Sequence, residues 1–316
     1  MNKFSNQNLP GSSISSVHFI NETASSLMLT ASTEGSIRIW RDYDQPGETA
    51  LASTFRAVSD IFPVGHHSGV LTAWEQQKGH LLVGGDMRVV RLWDATVERH
   101  IRDIATQAGA NLTAISADEP DGNVFVAGFG DGVVRLFDKR MEDGSNVVLR
   151  TWRKHHTWIQ SVHLQRGGHR ELVTGSMNGD VRIWDVRAPD TPLYEHSVQP
   201  QGLQALAVHS GAPVFATTSA PTSRATRQRL VVQGFQNPEK PKRLSAIDIT
   251  LAPSYGVPSR AGTMPSAASL VFHPVEMVLA AGGYDSSGNV RMFKCRVPEG
   301  PHYDDEPRSN GIVQHF

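Results

Sequence analysis

The sequence predicts an all-β fold, a β-propeller of six recognisable four-stranded blades. Three observations predict it. A short phrase recurs six times: Gly35 to Trp40, Arg88 to Trp93, Gly132 to Phe137, Gly179 to Trp184, loosely Arg229 to Phe235, and Gly288 to Phe293. The closing aromatics are 53, 44, 47, 51 and 58 residues apart, the period of a propeller array. Around each phrase, short runs alternate apolar and polar with period two and are bounded by turn residues, and no segment reads as a long amphipathic helix.

The elements follow in order. Inner strands are expected near 14–20, 70–75, 112–117, 159–164, 203–209 and 267–273. Second strands are expected near 27–32, 81–85, 124–128, 172–176, 214–219 and 278–283, and the phrase supplies each third strand. Outer strands are expected near 48–56, 100–106, 146–153, 193–198 and, poorly, 243–249. Asn178-Gly179 joins two strands and is expected to turn as type I′, with both residues at positive φ; Glu34-Gly35 and Asp131-Gly132 repeat the position. The last unit stops after its third strand, so residues 1–9 are expected to complete it and close the ring without a free edge, although Asn2, Asn6 and Asn8 make a poor strand. The propeller is expected over 1–296, with a long Pro- and Ser-rich loop at 236–266 and a disordered, acidic tail at 297–316.

Composition narrows the function. The 30 basic and 31 acidic residues nearly cancel, against a globally basic nucleic-acid binder. Cys295 stands alone, so no intramolecular disulfide forms and a reducing, cytoplasmic setting fits. No apolar run approaches the ~18 residues of a membrane span. The start lacks a signal core, so the sequons at Asn21 and Asn111 read as chance.

Trp93-Asp94 and Trp184-Asp185 supply the dipeptide of the WD40 repeat, which this chain resembles in a degenerate form; Lys154-His155 best matches its Gly-His opening. The segments Ser26 to Trp40, Gly69 to Gln76 with its unusual Trp74-Glu75-Gln76, Gly84 to Asp94, Val126 to Gly132, Asn178 to Asp185 and Gly202 to His209 sharpen this. In order, they resemble the C-terminal propeller of the Raptor family, over about residues 10–296. The resemblance implies a regulatory, substrate-recruiting subunit of TOR complex one, with TOR kinase complex subunits as partners. It implies a seven-bladed ring and a long upstream region, so the chain is expected to be a fragment or shortened form lacking one blade. Residues 1–9 would then be an outer strand of that blade, and 236–266 a fungal-like, lineage-specific insert.

Candidate sites divide into structural and interacting. Trp40, Trp93, Phe137, Trp184 and Phe293 hold the WD-type aromatic position, and His155 the opening histidine. Asp94, Asp138 and Asp185 follow third strands and read as turn residues bonding backbone amides. Arg38, Arg91, Arg135, Arg182 and Arg291 repeat one place and read as sheet-covering stems with heads in solvent. Arg224, Arg227, Arg229, Lys240, Lys242 and Arg243 flank the long loop and are the candidate interaction surface for an acidic partner; Ser245, Ser254, Ser259, Thr263 and Ser266 there are candidate phosphorylation sites. The 14 histidines show no metal-ligand spacing, and no cofactor loop survives inspection, since Gly128 to Gly132 leads into a strand rather than a helix.

The residues lead to the expectation of a non-catalytic scaffold, and the resemblance implies a role in nutrient-responsive TOR signalling, in the cytoplasm with peripheral association at the vacuolar or lysosomal surface through partners. An independent WD40 adaptor, such as a ubiquitin ligase receptor, is the alternative. A propeller hydrolase would have to rely on Glu75 or Asp118, the inner strands' few acids, and is not expected.

Overall fold

Each recurrence of the phrase contributes the third strand of a four-stranded sheet. The computed structural model describes residues 14–20, 26–45, 47–58, 69–118, 122–141, 147–164, 171–188, 191–220, 228–235, 242–249, 267–283, 290–294 and 313–315. Sheet one holds β1 (Ile14–Ile20), β2 (Leu27–Ser32), β3 (Ser36–Arg41) and β4 (Ala50–Arg56). Sheet two holds β5 (Val70–Glu75), β6 (His80–Gly85), β7 (Val89–Asp94) and β8 (Arg99–Ala105). Sheet three holds β9 (Leu112–Ala117), β10 (Val124–Phe129), β11 (Val134–Asp138) and β12 (Val148–Trp152). Sheet four holds β13 (Ile159–Leu164), β14 (Glu171–Ser176), β15 (Asp180–Asp185) and β16 (Tyr194–Ser197). Sheet five holds β17 (Leu203–Val208), β18 (Val214–Ser219), β19 (Gln228–Gly234) and β20 (Lys242–Ile249); β20 thus lies inside the segment read as a long loop. Sheet six holds β21 (Ala267–Phe272), β22 (Val278–Gly283), β23 (Val290–Lys294) and β24 (Val313–His315). Strand order follows the sequence in every sheet, the order of propeller blades.

Two expectations change. The last sheet does not stop at three strands: Val313–His315 pairs with β23, and in parallel, Met292 opposite Val313. A third-strand edge presents unpaired N–H and C=O groups that a returning segment can satisfy. Parallel pairing needs a crossover of a dozen or more residues, and 295–312 is long enough to supply it. These three residues lie in the tail expected to be disordered, while residues 1–9 fall outside the described residues. The second change is at the hairpins. Gly179 N donates to Ser176 O at 3.0 Å or less (2.9 Å), and Gly179 alone has positive φ (95°); Asn178 does not. That is a tight turn closed by one left-handed glycine, rather than type I′. Gly35 and Gly132 repeat it, with φ of 83° and 81°. Crowding further requires glycine there: a Cβ on Gly179 would stand 1.8 Å from Gln199 O, and one on Gly132 2.5 Å from His155 O.

Residues 1–164 and 165–316 form two compact units. In the first, Leu29, Ile37, Val58, Leu81 and Val83 fill the space between sheets one and two. Leu82, Val90, Ile104, Leu112, Phe125, Phe129 and Phe137 fill that between sheets two and three. Phe125 and Phe137 stack with centroids 4.8 Å apart. In the second unit, one core runs through Val173, Val181, Ile183, Leu206, Phe215 and Val231, and another through Ala216, Leu230, Val232, Phe272, Leu279 and Phe293. Burying each of these Val, Leu, Ile and Phe side chains stabilises by roughly 1.5–3 kcal/mol. Some apolar surface stays outside: Val17 and Phe19 on β1, and Val271, Val290 and Met292 in sheet six are all exposed.

Candidate functional site

The aromatic that closes each third strand sets a rule for the strand beside it. Trp40 Nε1 donates to Thr30 Oγ1 at 2.9 Å, and Trp184 Nε1 to Thr174 Oγ1 at 2.9 Å. Phe137 and Phe293, which have no donor, meet Ala127 and Ala281 at the equivalent register. Trp93 breaks the rule. Val83 occupies the equivalent place, and the buried Trp93 Nε1 has no acceptor. Its ring instead packs on Phe55 and His100.

The acids after the third strands hold turns. Asp94 Oδ1 accepts the Thr96 amide at 2.9 Å, Asp138 Oδ1 the Arg140 amide at 3.0 Å, and Asp185 Oδ1 the Arg187 amide at 2.9 Å. The Thr96 hydroxyl and the Arg140 guanidinium hold the Asp94 and Asp138 carboxyls below the usual range. His155 is buried, its carbonyl seated against the Gly132 turn. His209 and His273, which end inner strands, cap turns as well: His209 Nδ1 accepts the Gly211 and Ala212 amides at 3.0 Å each, and His273 Nδ1 the Glu276 amide at 2.9 Å.

Three of the five repeated arginines, Arg91, Arg135 and Arg182, do not place their heads in solvent as expected. Arg135 and Arg182 are buried. Arg91 Nη1 donates to Ala57 O at 3.1 Å, carrying sheet two back to the end of sheet one. Arg135 Nη1 donates to Thr106 O, carrying sheet three back to the end of sheet two. Arg91 also pairs with Asp103 at 3.3 Å, and Arg182 with Glu195. A guanidinium is long and rich in donors, so it can latch a neighbouring carbonyl instead of rising to water.

Glu75 serves the junction of two sheets, although its buried Oε1 has no hydrogen-bond partner. It is buried and ion-paired with the buried Lys139 of the next sheet, whose Nζ lies 3.3 Å from His80 Nδ1. Burial lowers the Lys139 ammonium to about 8 and also pulls His80 down. Lys78 Nζ reinforces the junction by donating to Asn123 Oδ1 at 2.7 Å. Lys139 escaped the sequence reading. Its signal was a lysine standing where Ala95 and Val186 follow the turn acid in other blades. Of the candidate interaction residues, Arg224, Arg227 and Lys240 lie outside the described residues. Arg229 is exposed on β19, and Lys242 and Arg243 lie in β20 opposite Gly234 and Gln233. Among the described residues no three His, Cys, Asp or Glu side chains gather to hold a metal ion.

Comparison with known proteins agrees with this architecture. Residues 146–185 match the WD40 family, described as WD domain, G-beta repeat. The Saccharomyces cerevisiae target of rapamycin complex 1 subunit KOG1 is 36% identical over 313 residues, which covers 93% of this chain and 20% of that protein. The Schizosaccharomyces pombe target of rapamycin complex 1 subunit mip1 is 30% identical over 95% of this chain and 21% of its own length. The crystal structure of Chaetomium thermophilum Raptor superposes with a TM-score of 0.78 at 33% identity, covering 94% of this chain and 25% of that one. The chain therefore spans about a fifth of the length of the curated relatives it matches. In repeat, sheet order and sequence, the chain is homologous along nearly all its length to the C-terminal WD40 region of the Raptor family.

Proposed function

We propose that this chain is a non-catalytic binding platform, the WD40 region of a Raptor-type subunit, which supports assembly of TOR complex 1 and nutrient-responsive signalling through it. The observation that carries this is 36% identity across 93% of the chain to a protein named as a subunit of that complex. The site chemistry supports it: the repeated tryptophans, arginines and turn acids, and Glu75, are mostly consumed by contacts within and between sheets. What remains for function is a rigid array of turns and connections that meets other proteins. A net charge of −1 gives no global field for nucleic acid, and no helix among the described residues is long and apolar enough to cross a membrane. The working place is the cytoplasm, with access to the vacuolar or lysosomal surface through protein partners. Deleting residues 14–294 in frame from the native gene tests the reading: the remaining subunit should retain less TOR kinase on immunoprecipitation. Undiminished TOR kinase would contradict it.

A further inference from the structure

The outer-strand residue facing the repeated arginine differs from sheet to sheet. Arg91 faces Asp103 and Arg182 faces Glu195, and each pair is an ion pair. Arg135 faces Thr151. It is nevertheless 8% exposed, its Nε has no acceptor, and no carboxylate lies within 4 Å of it among the described residues. Its Nη1 donates to Thr106 O, and the ring of Phe129 lies 5.5 Å below the guanidinium. Asp131 is exposed and turned to the Val133 amide, with Oδ1 3.1 Å away.

The charge that acts most on Arg135 has the same sign, and Asp131 opposes it only more weakly. Val134 pairs with Trp152, so Arg153 emerges one residue past β12; by strand alternation it shares the side of Thr151 and Arg135. Burial first, then the Arg153 charge, hold the Arg135 guanidinium below its usual affinity for a proton. Arg153, Lys154 and His156 are exposed, and Trp158 beside them is partly so, set against Gly130. A buried cation without a counter-ion is unfavourable, and a second cation at its mouth makes it more so. Sheets two and four supply an internal acid, although Arg182 Nε and Nη1 still lack an acceptor, whereas sheet three supplies none at Thr151.

We propose that Arg135 and Arg153 form an anion-accepting site at the end of sheet three, and that its occupant is a carboxylate or phosphate group on an acidic segment of a partner polypeptide. This deepens the binding-platform reading and rests on it. The site offers two guanidiniums beside an aromatic, in a chain of net charge −1. That suits one or two charges on a peptide better than the extended polyanion of a nucleic acid or lipid surface.

The test uses the 316-residue chain and two variants, Thr151→Glu, which places an acid where Asp103 and Glu195 stand, and Arg153→Gln, which removes the mouth. Melting is followed in phosphate against chloride at equal ionic strength. Thr151→Glu should melt higher than wild type in chloride. Both variants should lose most of the phosphate-specific rise that wild type shows. A fluorescein-labelled peptide of alternating Glu and Gly should bind wild type, be displaced by phosphate, and bind either variant at least fivefold more weakly. An equal phosphate rise in all three proteins would overturn the site. A variant-sensitive rise with no binding of the acidic peptide would overturn the polypeptide occupant and leave a free anion. Because these readouts need no TOR kinase, their failure would stand apart from failure of the platform reading, which co-purification measures.

Discussion

Trp93 shows how much a single missing acceptor matters. Threonine faces the indole in sheets one and four, alanine faces phenylalanine in sheets three and six, and valine faces a tryptophan only in sheet two. Val83→Thr should therefore raise stability by about 1 kcal/mol, the net worth of one hydrogen bond to a buried donor, read as a higher urea midpoint with unchanged slope. A loss of stability would mean that the indole is already satisfied. His18 gives a pH dependence. Its Nε2 lies 2.8 Å from Thr72 Oγ1, and burial lowers its pKa to about 4. Because the folded value lies below that of the unfolded chain, the unfolded state binds more protons between pH 6.5 and 4, and stability falls as pH falls through that window. The loss should be about 2 kcal/mol between pH 7 and pH 5, and His18→Gln should abolish most of it. Sequence alone placed the aromatics and turn acids because each residue type suits its position locally. It misplaced the arginine heads, since only a neighbouring sheet's carbonyl, as at Ala57 or Thr106, reveals the latch.

At the scale of the element, the hairpin glycine decides the turn. Gly179 combines positive φ with a carbonyl that a Cβ would strike, whereas Gly47 has φ of 86° and open space around it. Gly179→Ala should thus cost clearly more than Gly47→Ala, which should cost only the roughly 1–2 kcal/mol of a left-handed alanine. Equal losses in thermal melts of the two variants would contradict the crowding argument. The Asn-Gly and Asp-Gly pairs made these hairpins legible, but not the crowding, which comes from Gln199 and His155, beyond the ends of the outer strands. Strand periods were legible wherever apolar and polar residues alternate, as in Ile159 to Leu164. They were poor for β20, where the outer strand carries little pattern, and absent for β24, whose three residues pair only because an edge awaits them.

For the whole molecule, six sheets were readable from one repeated phrase, because a blade cannot bury its faces alone and every unit must carry the same signature. Each unit also leaves apolar strand faces in solvent: Val17 and Phe19 in the first, Val271, Val290 and Met292 in the second. The isolated chain should therefore self-associate in sedimentation velocity, and Val17→Thr with Phe19→Thr should reduce that association; a monodisperse wild-type monomer would count against it. The central claim is membership of a TOR complex, and one measurement addresses it directly. The endogenous gene is tagged at its C terminus, the bait is purified from the native cell, and everything recovered is identified by mass spectrometry. The account predicts TOR kinase in near-equal amount with the bait. A bait of 34.5 kDa recovered without TOR kinase would contradict it.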